Sequence, residues 1–326
     1  MPVFLRAGPS IPLESFEYKP ISDVDLSKID SREIIEASVE SIDNSDRSQV
    51  LDFYHTFFSD DAVPAMKWTG SDEEGLPGTI AREFQSAILR RINAYRALAG
   101  LPGDAVLIPS LSEKTQQGAF MTSHRDWASH VVSPRIPYYT EDAGEAVSHS
   151  NLLLGETGPR GIDLFIEDRG AHNYGVGHRR WLLYPDNRYM GVGAVPFRAY
   201  RLREALVVWV VGGTTPMPDR KPEQVVLWPT PGYFPLPLVP ERWSLSLPEG
   251  DFSEAQVEAF INGQSVDPQK ERLVPNLAEN TLVWRFDSLA RTGYSEDMVF
   301  EITVSNIRHQ GELRSYSYTT QLLAVD

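Results

Sequence analysis

The chain has no cysteine among its 326 residues. That excludes disulfides, thiolate metal ligands and thiol nucleophiles together, while leaving the compartment open. Cationic charge is scarce, with 30 Lys and Arg against 45 Asp and Glu, for a net charge of −15. Nucleic acid and anionic lipid are therefore poor partners. No segment is long and apolar enough to span a membrane. Met1 to Pro20 carries one Arg, one Lys and no unbroken apolar run of seven, so it does not read as a signal peptide. Two catalytic motifs are missing as well. Without HExxH a standard zincin protease is not supported. Ser150, His178 and Glu167 include the residue types of a hydrolase triad, but no Gly-x-Ser-x-Gly elbow exists to present the serine.

What is present is uneven. Residues 1–78 hold sixteen Asp and Glu against six Lys and Arg, so most of the excess charge sits in an acidic N-terminal extension. Five of the seven histidines, His124, His130, His149, His172 and His178, crowd into one sixth of the chain. Imidazole titrates near neutrality and is the commonest metal ligand, so this window is where a site is expected.

Hydrophobic periodicity predicts the elements. Short helices are expected over Ser31–Ser41 and Asp46–Phe58. Ile80, Phe84, Ile88, Ile92 and Tyr95 make one stripe of a helix from Thr79 to about Ala99, with Thr79 as its cap and Gly100 and Pro102 ending it. Further helices are expected over Ser112–Ser129 and Pro159–Glu167, with a loop from Pro134 to Ser150. Met190–Val195 and Ala205–Val211 read as strands, the second buried. Residues 214–240 contain eight prolines and read as a connector. Beyond it every pattern alternates, and Asn262-Gly263 signals a type I′ hairpin. Residues 241–326 are expected to form a small β-sandwich of immunoglobulin-like shape.

Several phrases resemble the CAP superfamily (cysteine-rich secretory proteins, antigen 5, pathogenesis-related 1). Ile88-Leu89-Arg90-Arg91-Ile92-Asn93-Ala94-Tyr95-Arg96 resembles that family's opening helix. Ala128-Ser129-His130 looks like its first histidine motif. Gly177-His178-Arg179-Arg180-Trp181, followed by Met190-Gly191-Val192-Gly193, looks like its central signature. The resemblance covers residues 79–213. It is closest to a bacterial branch with a C-terminal β domain after Trp-Pro-x-Pro-Gly-Tyr, here Trp228 to Tyr233. It implies an α+β protein: a CAP-type α/β/α sandwich with a cleft, then the all-β unit. It also implies export, to an extracellular or periplasmic address, against the missing leader, which keeps the cytoplasm open.

In many members two histidines and two acids line the cleft and hold a divalent metal, often zinc. By position, His130 and His178 match the histidines and metal ligands, and Glu167 matches one acid. The other acid is replaced by Ser150, which precedes Asn151. Two imidazoles can bind Zn²⁺ while leaving positions for water or substrate. Glu167 and His178 are then the candidate catalytic residues, and His130, Ser150, Asn151, Glu167 and His178 the cleft lining. Glu167 equally suits an ion pair with Arg179 or Arg180, and those arginines suit structural anchoring. His124, His149 and His172 read as ordinary polar or packing residues. Three functions follow as expectations. First is a binding module for a small molecule, lipid or glycan, with or without zinc. The others are a metal-dependent hydrolase using His130, His178 and Glu167, and a non-catalytic structural or interaction protein.

Overall fold

The computed structural model describes residues 29–59, 62–198, 203–275, 277–286 and 297–325. The reading of Met1 to Pro20 lies outside them. In chain order the elements are β1 (Ile35–Glu36), α1 (Arg47–Phe57), α2 (Arg82–Leu98), β2 (Val106–Leu107), α3 (Pro109–Ser123), α4 (Glu141–Ser148), β3 (Ser150–Leu154), α5 (Gly158–Glu167), α6 (Gly177–Leu182), β4 (Tyr189–Val195) and β5 (Ala205–Trp209). There follow β6 (Val226–Trp228), β7 (Gly232–Pro235), β8 (Arg242–Leu247), β9 (Gln256–Ile261), β10 (Gln264–Val266), β11 (Gln269–Lys270), β12 (Asn280–Arg285), β13 (Met298–His309) and β14 (Glu312–Leu323). The protein is α+β.

The first sheet has the order β1-β2-β4-β5-β3, so β3 is an edge strand. Period-two alternation along β5 sorts the two faces. Leu206, Val208 and Val210 share a core with Phe84, Ile88 and Ile92 of α2 and Phe165 of α5. Ala205 and Val207 pack with Phe120 of α3 and Val147 of α4, and Trp209 packs with Leu111 and Ala146. Helices therefore cover both faces. Gly191 and Gly193 of β4 let α3 come close: a Cβ on Gly193 would sit 2.3 Å from the backbone of Thr115 and Gln116.

The polar residues of α2 are connectors. Arg91 donates to both oxygens of Asp163 on α5 at 2.6 and 2.7 Å, and the Tyr95 hydroxyl donates to the same carboxylate at 3.0 Å. Asn93, fully buried, donates to Ala37 O and Ala105 O and accepts from Ala105 N. Arg96 donates to Pro102 O, Leu182 O, Tyr184 O and Pro185 O. Asn93 and Arg96 satisfy backbone groups that would otherwise be buried unpaired.

The remaining strands form two sheets, β10-β9-β13-β14-β7 and β11-β12-β8-β6, packed face to face. Trp243 of β8 pairs with Trp284 of β12 and lies 4.9 Å, ring to ring, from Phe300 of the opposite sheet. Asn262 and Gly263, both at positive φ, close the β9–β10 hairpin between Ile261 and Gln264. The proline-dense segment does more than connect, because β6 and β7 each join one sheet. Trp228 sits 5.7 Å from the Tyr95 ring of α2, so one apolar core runs from the helices into the sandwich.

Four expectations are corrected. Ser31–Ser41 is not a helix: Ile35 and Glu36 pair with β2, and Arg82 holds the carbonyls of Glu33 and Ile34. Thr79 does not cap α2, since its own N–H goes to Thr69 Oγ1 and the helix begins after Ala81. The helix expected over Ser112–Ser129 starts at Pro109 and stops at Ser123, which leaves His130 on a loop. The expected loop Pro134–Ser150 contains α4, capped by the Thr140 hydroxyl accepting from Ala143 N. Among the described residues no helix is long and apolar enough to cross a membrane.

A histidine cleft beside the edge strand

Asp168 organises the site. It ends α5 in the left-handed region (φ 51°), a conformation that aspartate tolerates better than most residues. The turn directs its carboxylate back at the start of α6. There Oδ2 accepts from His178 N at 2.9 Å, and Oδ1 accepts from His178 Nδ1 at 2.7 Å. The Asp168 side chain is 0% exposed and that of His178 is 24% exposed, so the acid is sealed behind an imidazole that solvent reaches. Phe165 stacks on the ring at 5.1 Å and fixes its plane. Burial pulls the His178 pKa down, but the Asp168 charge and hydrogen bond outweigh it, and the net shift is upward.

His130 is held by a backbone carbonyl. Its Nδ1 lies 2.8 Å from Val147 O, at the end of α4. A carbonyl only accepts, so Nδ1 carries the proton and Nε2 is the acceptor of the neutral ring. Burial, with His178 adding repulsion, lowers the His130 pKa to about 4. At neutral pH the pair is thus unlike: burial favours the neutral form of His130, while Asp168 helps His178 hold its proton to higher pH. Asn151 Nδ2 donates to His178 O at 3.0 Å, and the buried Ser150 Oγ has no hydrogen-bond partner among the described residues.

Of the expected site residues, Asn151 is hydrogen-bonded to His178, and His178 lies near enough to His130 to act on its charge. Glu167 forms an ion pair with Arg169, and its charge also acts on Arg179. The acid the sequence reading missed is its neighbour Asp168. The signal was available: a second carboxylate in sequence at a helix end, followed within ten residues by the histidine. The three remaining histidines of the window serve other purposes. His124 bridges Asp72 (2.7 Å) and Phe120 O (2.8 Å), His149 stacks on Trp209 at 5.0 Å, and His172 is exposed.

The arginines after His178 are anchors. Arg179 donates to Arg242 O at 2.8 Å and to Ile166 O at 3.3 Å. Arg180 donates to Val274 O, Leu277 O and Glu279 O at 3.0, 2.5 and 2.6 Å. One six-residue helix thus carries the site histidine and both ties to the sandwich.

Zinc was expected at His130 and His178. Both rings place Nδ1 on an acceptor, the arrangement that orients metal-binding imidazoles. The rest of the donor set does not fit. Ser150 stands at the second acid position, Glu167 is committed to Arg169, and no group of three His, Asp or Glu among the described residues is placed to hold a metal ion. Chemically, the pair sets an imidazole whose protonated form is favoured near one whose neutral form is favoured. No protein-family model, no curated protein and no solved structure matches this chain.

Proposed function

We propose that this chain is a CAP-type binding protein. In this reading the helix-covered sheet carries a cleft for a small ligand, and the C-terminal sheets form an immunoglobulin-like sandwich that braces it. The observation that carries the reading is the Asp168–His178 pair. A buried carboxylate holds a partly exposed imidazole in one orientation and favours its protonated form. Such a group binds an acidic or hydroxyl function of a ligand, with the neutral His130 as the complementary acceptor. A lipid, a glycan or another small molecule bearing that function satisfies the chemistry. Export follows from the resemblance alone and belongs to the same proposal. No step runs through a metal, because the donors fall short of a zinc centre.

The test is the mass-spectrometric identification of small molecules carried by untagged protein, beside His178→Ala of verified fold. A ligand retained by the parent and lost from the variant is expected. Equal retention in both, or none in either, would overturn the reading. Zinc titration calorimetry on the parent and a His130→Ala, His178→Ala variant separates the hydrolase alternative. Stoichiometric zinc bound by the parent alone would restore it.

A further inference from the structure

A second cavity lies at the other edge of the first sheet. It is an open groove of about 720 Å³ beside Ile35 of β1 and Leu107 of β2, and none of its lining residues belongs to the histidine cleft. Its volume is in the range of small-molecule sites. Its chemistry is distinctive. Tyr138 and Tyr139 form one wall and Glu113 lines another side, while Arg82, Gln85 and Gln116 are already committed to backbone groups.

The aromatic wall is held in place. Tyr138 keeps a positive φ of 61°, an uncommon state for a bulky residue. Its ring packs 4.2 Å from His124 and 4.9 Å from Phe120, and 38% of the residue stays exposed. His124 is in turn fixed by Asp72. The Tyr139 ring lies where Gly144 leaves room: a Cβ there would come within 2.8 Å of it. Neither phenol oxygen nor the Glu113 carboxylate has a hydrogen-bond partner among the described residues. Amphipathic rings and phenols beside an open carboxylate suit a ligand that is apolar on its faces and hydroxylated at its edges. A lipid tail would desolvate Glu113 and the phenol oxygens without replacing their hydrogen bonds to water. An anion would meet Glu33 and Glu113.

We infer that this groove binds a neutral oligosaccharide, its sugar faces on Tyr138 and Tyr139 and its hydroxyls donating to Glu113. The inference does not depend on the histidine cleft binding anything. The experiment is amide NMR titration of the full chain with maltotetraose, cellotetraose and tetra-N-acetylchitotetraose, and with hyaluronan tetrasaccharide as an anionic control. Glu113→Gln and Tyr139→Phe remove one acceptor charge and one hydroxyl at a surface, so both should fold. A hydrogen bond to a charged group is worth about tenfold or more in affinity. The expected result is saturable shifts over residues 113–117 and 138–140 with at least one neutral sugar, weakened about tenfold by Glu113→Gln. No shift with any of the three, shifts confined to the His178 region, tighter binding of hyaluronan, or unchanged affinity in both variants overturns the inference.

Discussion

Replacing Arg180 by Met should loosen the joint between the helix-covered sheet and the sandwich. Met retains most of the apolar stem and removes the guanidinium. Arg180 is 5% exposed, and its head serves Val274 O, Leu277 O and Glu279 O, with a longer bond of 3.4 Å to Gly175 O. Each buried carbonyl left without a donor costs about 1 kcal/mol or more. Glu279 also loses a nearby positive charge, although Arg220 stays paired with it. Recovered desolvation of the arginine offsets part of this, which leaves a loss of about 3–5 kcal/mol, the usual range for breaking a buried charged network. Urea unfolding followed by tryptophan fluorescence measures it, with an unchanged m-value as the sign that the unfolded state is the same. Because His178 lies two residues earlier on the same short helix, its imidazole NMR signals should move as well. A loss under about 1 kcal/mol, together with unmoved His178 signals, would refute the view that the sandwich braces the cleft.

Three other perturbations test single links. Asp168→Asn removes the charge that raises the His178 pKa, so an imidazole titration should show a lower value than in the parent. A raised folded-state pKa adds stability below the ordinary pKa of 6.5 that is lost as pH rises through the raised value, so the parent's advantage over Asp168→Asn should shrink from pH 6 upward; an advantage that grows with pH contradicts the assignment. His130 has the opposite sign: with its pKa lowered to about 4, the unfolded chain takes the proton first, and stability falls as pH drops from about 6.5 toward 4, by at most about 3 kcal/mol. His130→Gln should flatten that part of the stability curve, and an identical slope in both proteins would show that another group is responsible. Gly193→Ala forces a Cβ to 2.3 Å from the α3 backbone and should cost about 1–3 kcal/mol or more, seen as a lower melting temperature, with an unchanged one counting against the close packing of β4 and α3.

The long helices were legible because their apolar stripes are local and periodic. The stripe from Ile80 to Tyr95 marks the apolar face of α2, and Gly158–Glu167 nearly coincides with the expected third helix. Elements whose register comes from elsewhere were not. Ile34, Ile35 and Val39 have helical spacing, yet a two-residue pairing with β2 and the Arg82 guanidinium hold that segment extended. The six-residue α6 is too short for a periodic signal. It exists because Asp168 caps its first N–H groups and the sandwich carbonyls take up its arginines. For the site, His130 and His178 were visible as residues of a histidine-rich window. Which acid serves them was not. Glu167 and Asp168 are adjacent, and the left-handed turn at the end of α5 selects the second.

By itself the sequence determined what the protein cannot use and which segments alternate or turn as helices. It has no thiols, its charge is strongly negative, its helices carry apolar stripes on one side, and its last quarter alternates with period two. Those properties are local, set by composition and by the two backbone periodicities. Only the tertiary structure decided that His130 and His178 come near enough to interact, that burial lowers one pKa while Asp168 raises the other, and that a tyrosine-walled groove opens at the opposite edge. These depend on hydrogen bonds and burial between residues far apart in the chain. Protonation, orientation and partnership are set by that environment, not by the residue type alone.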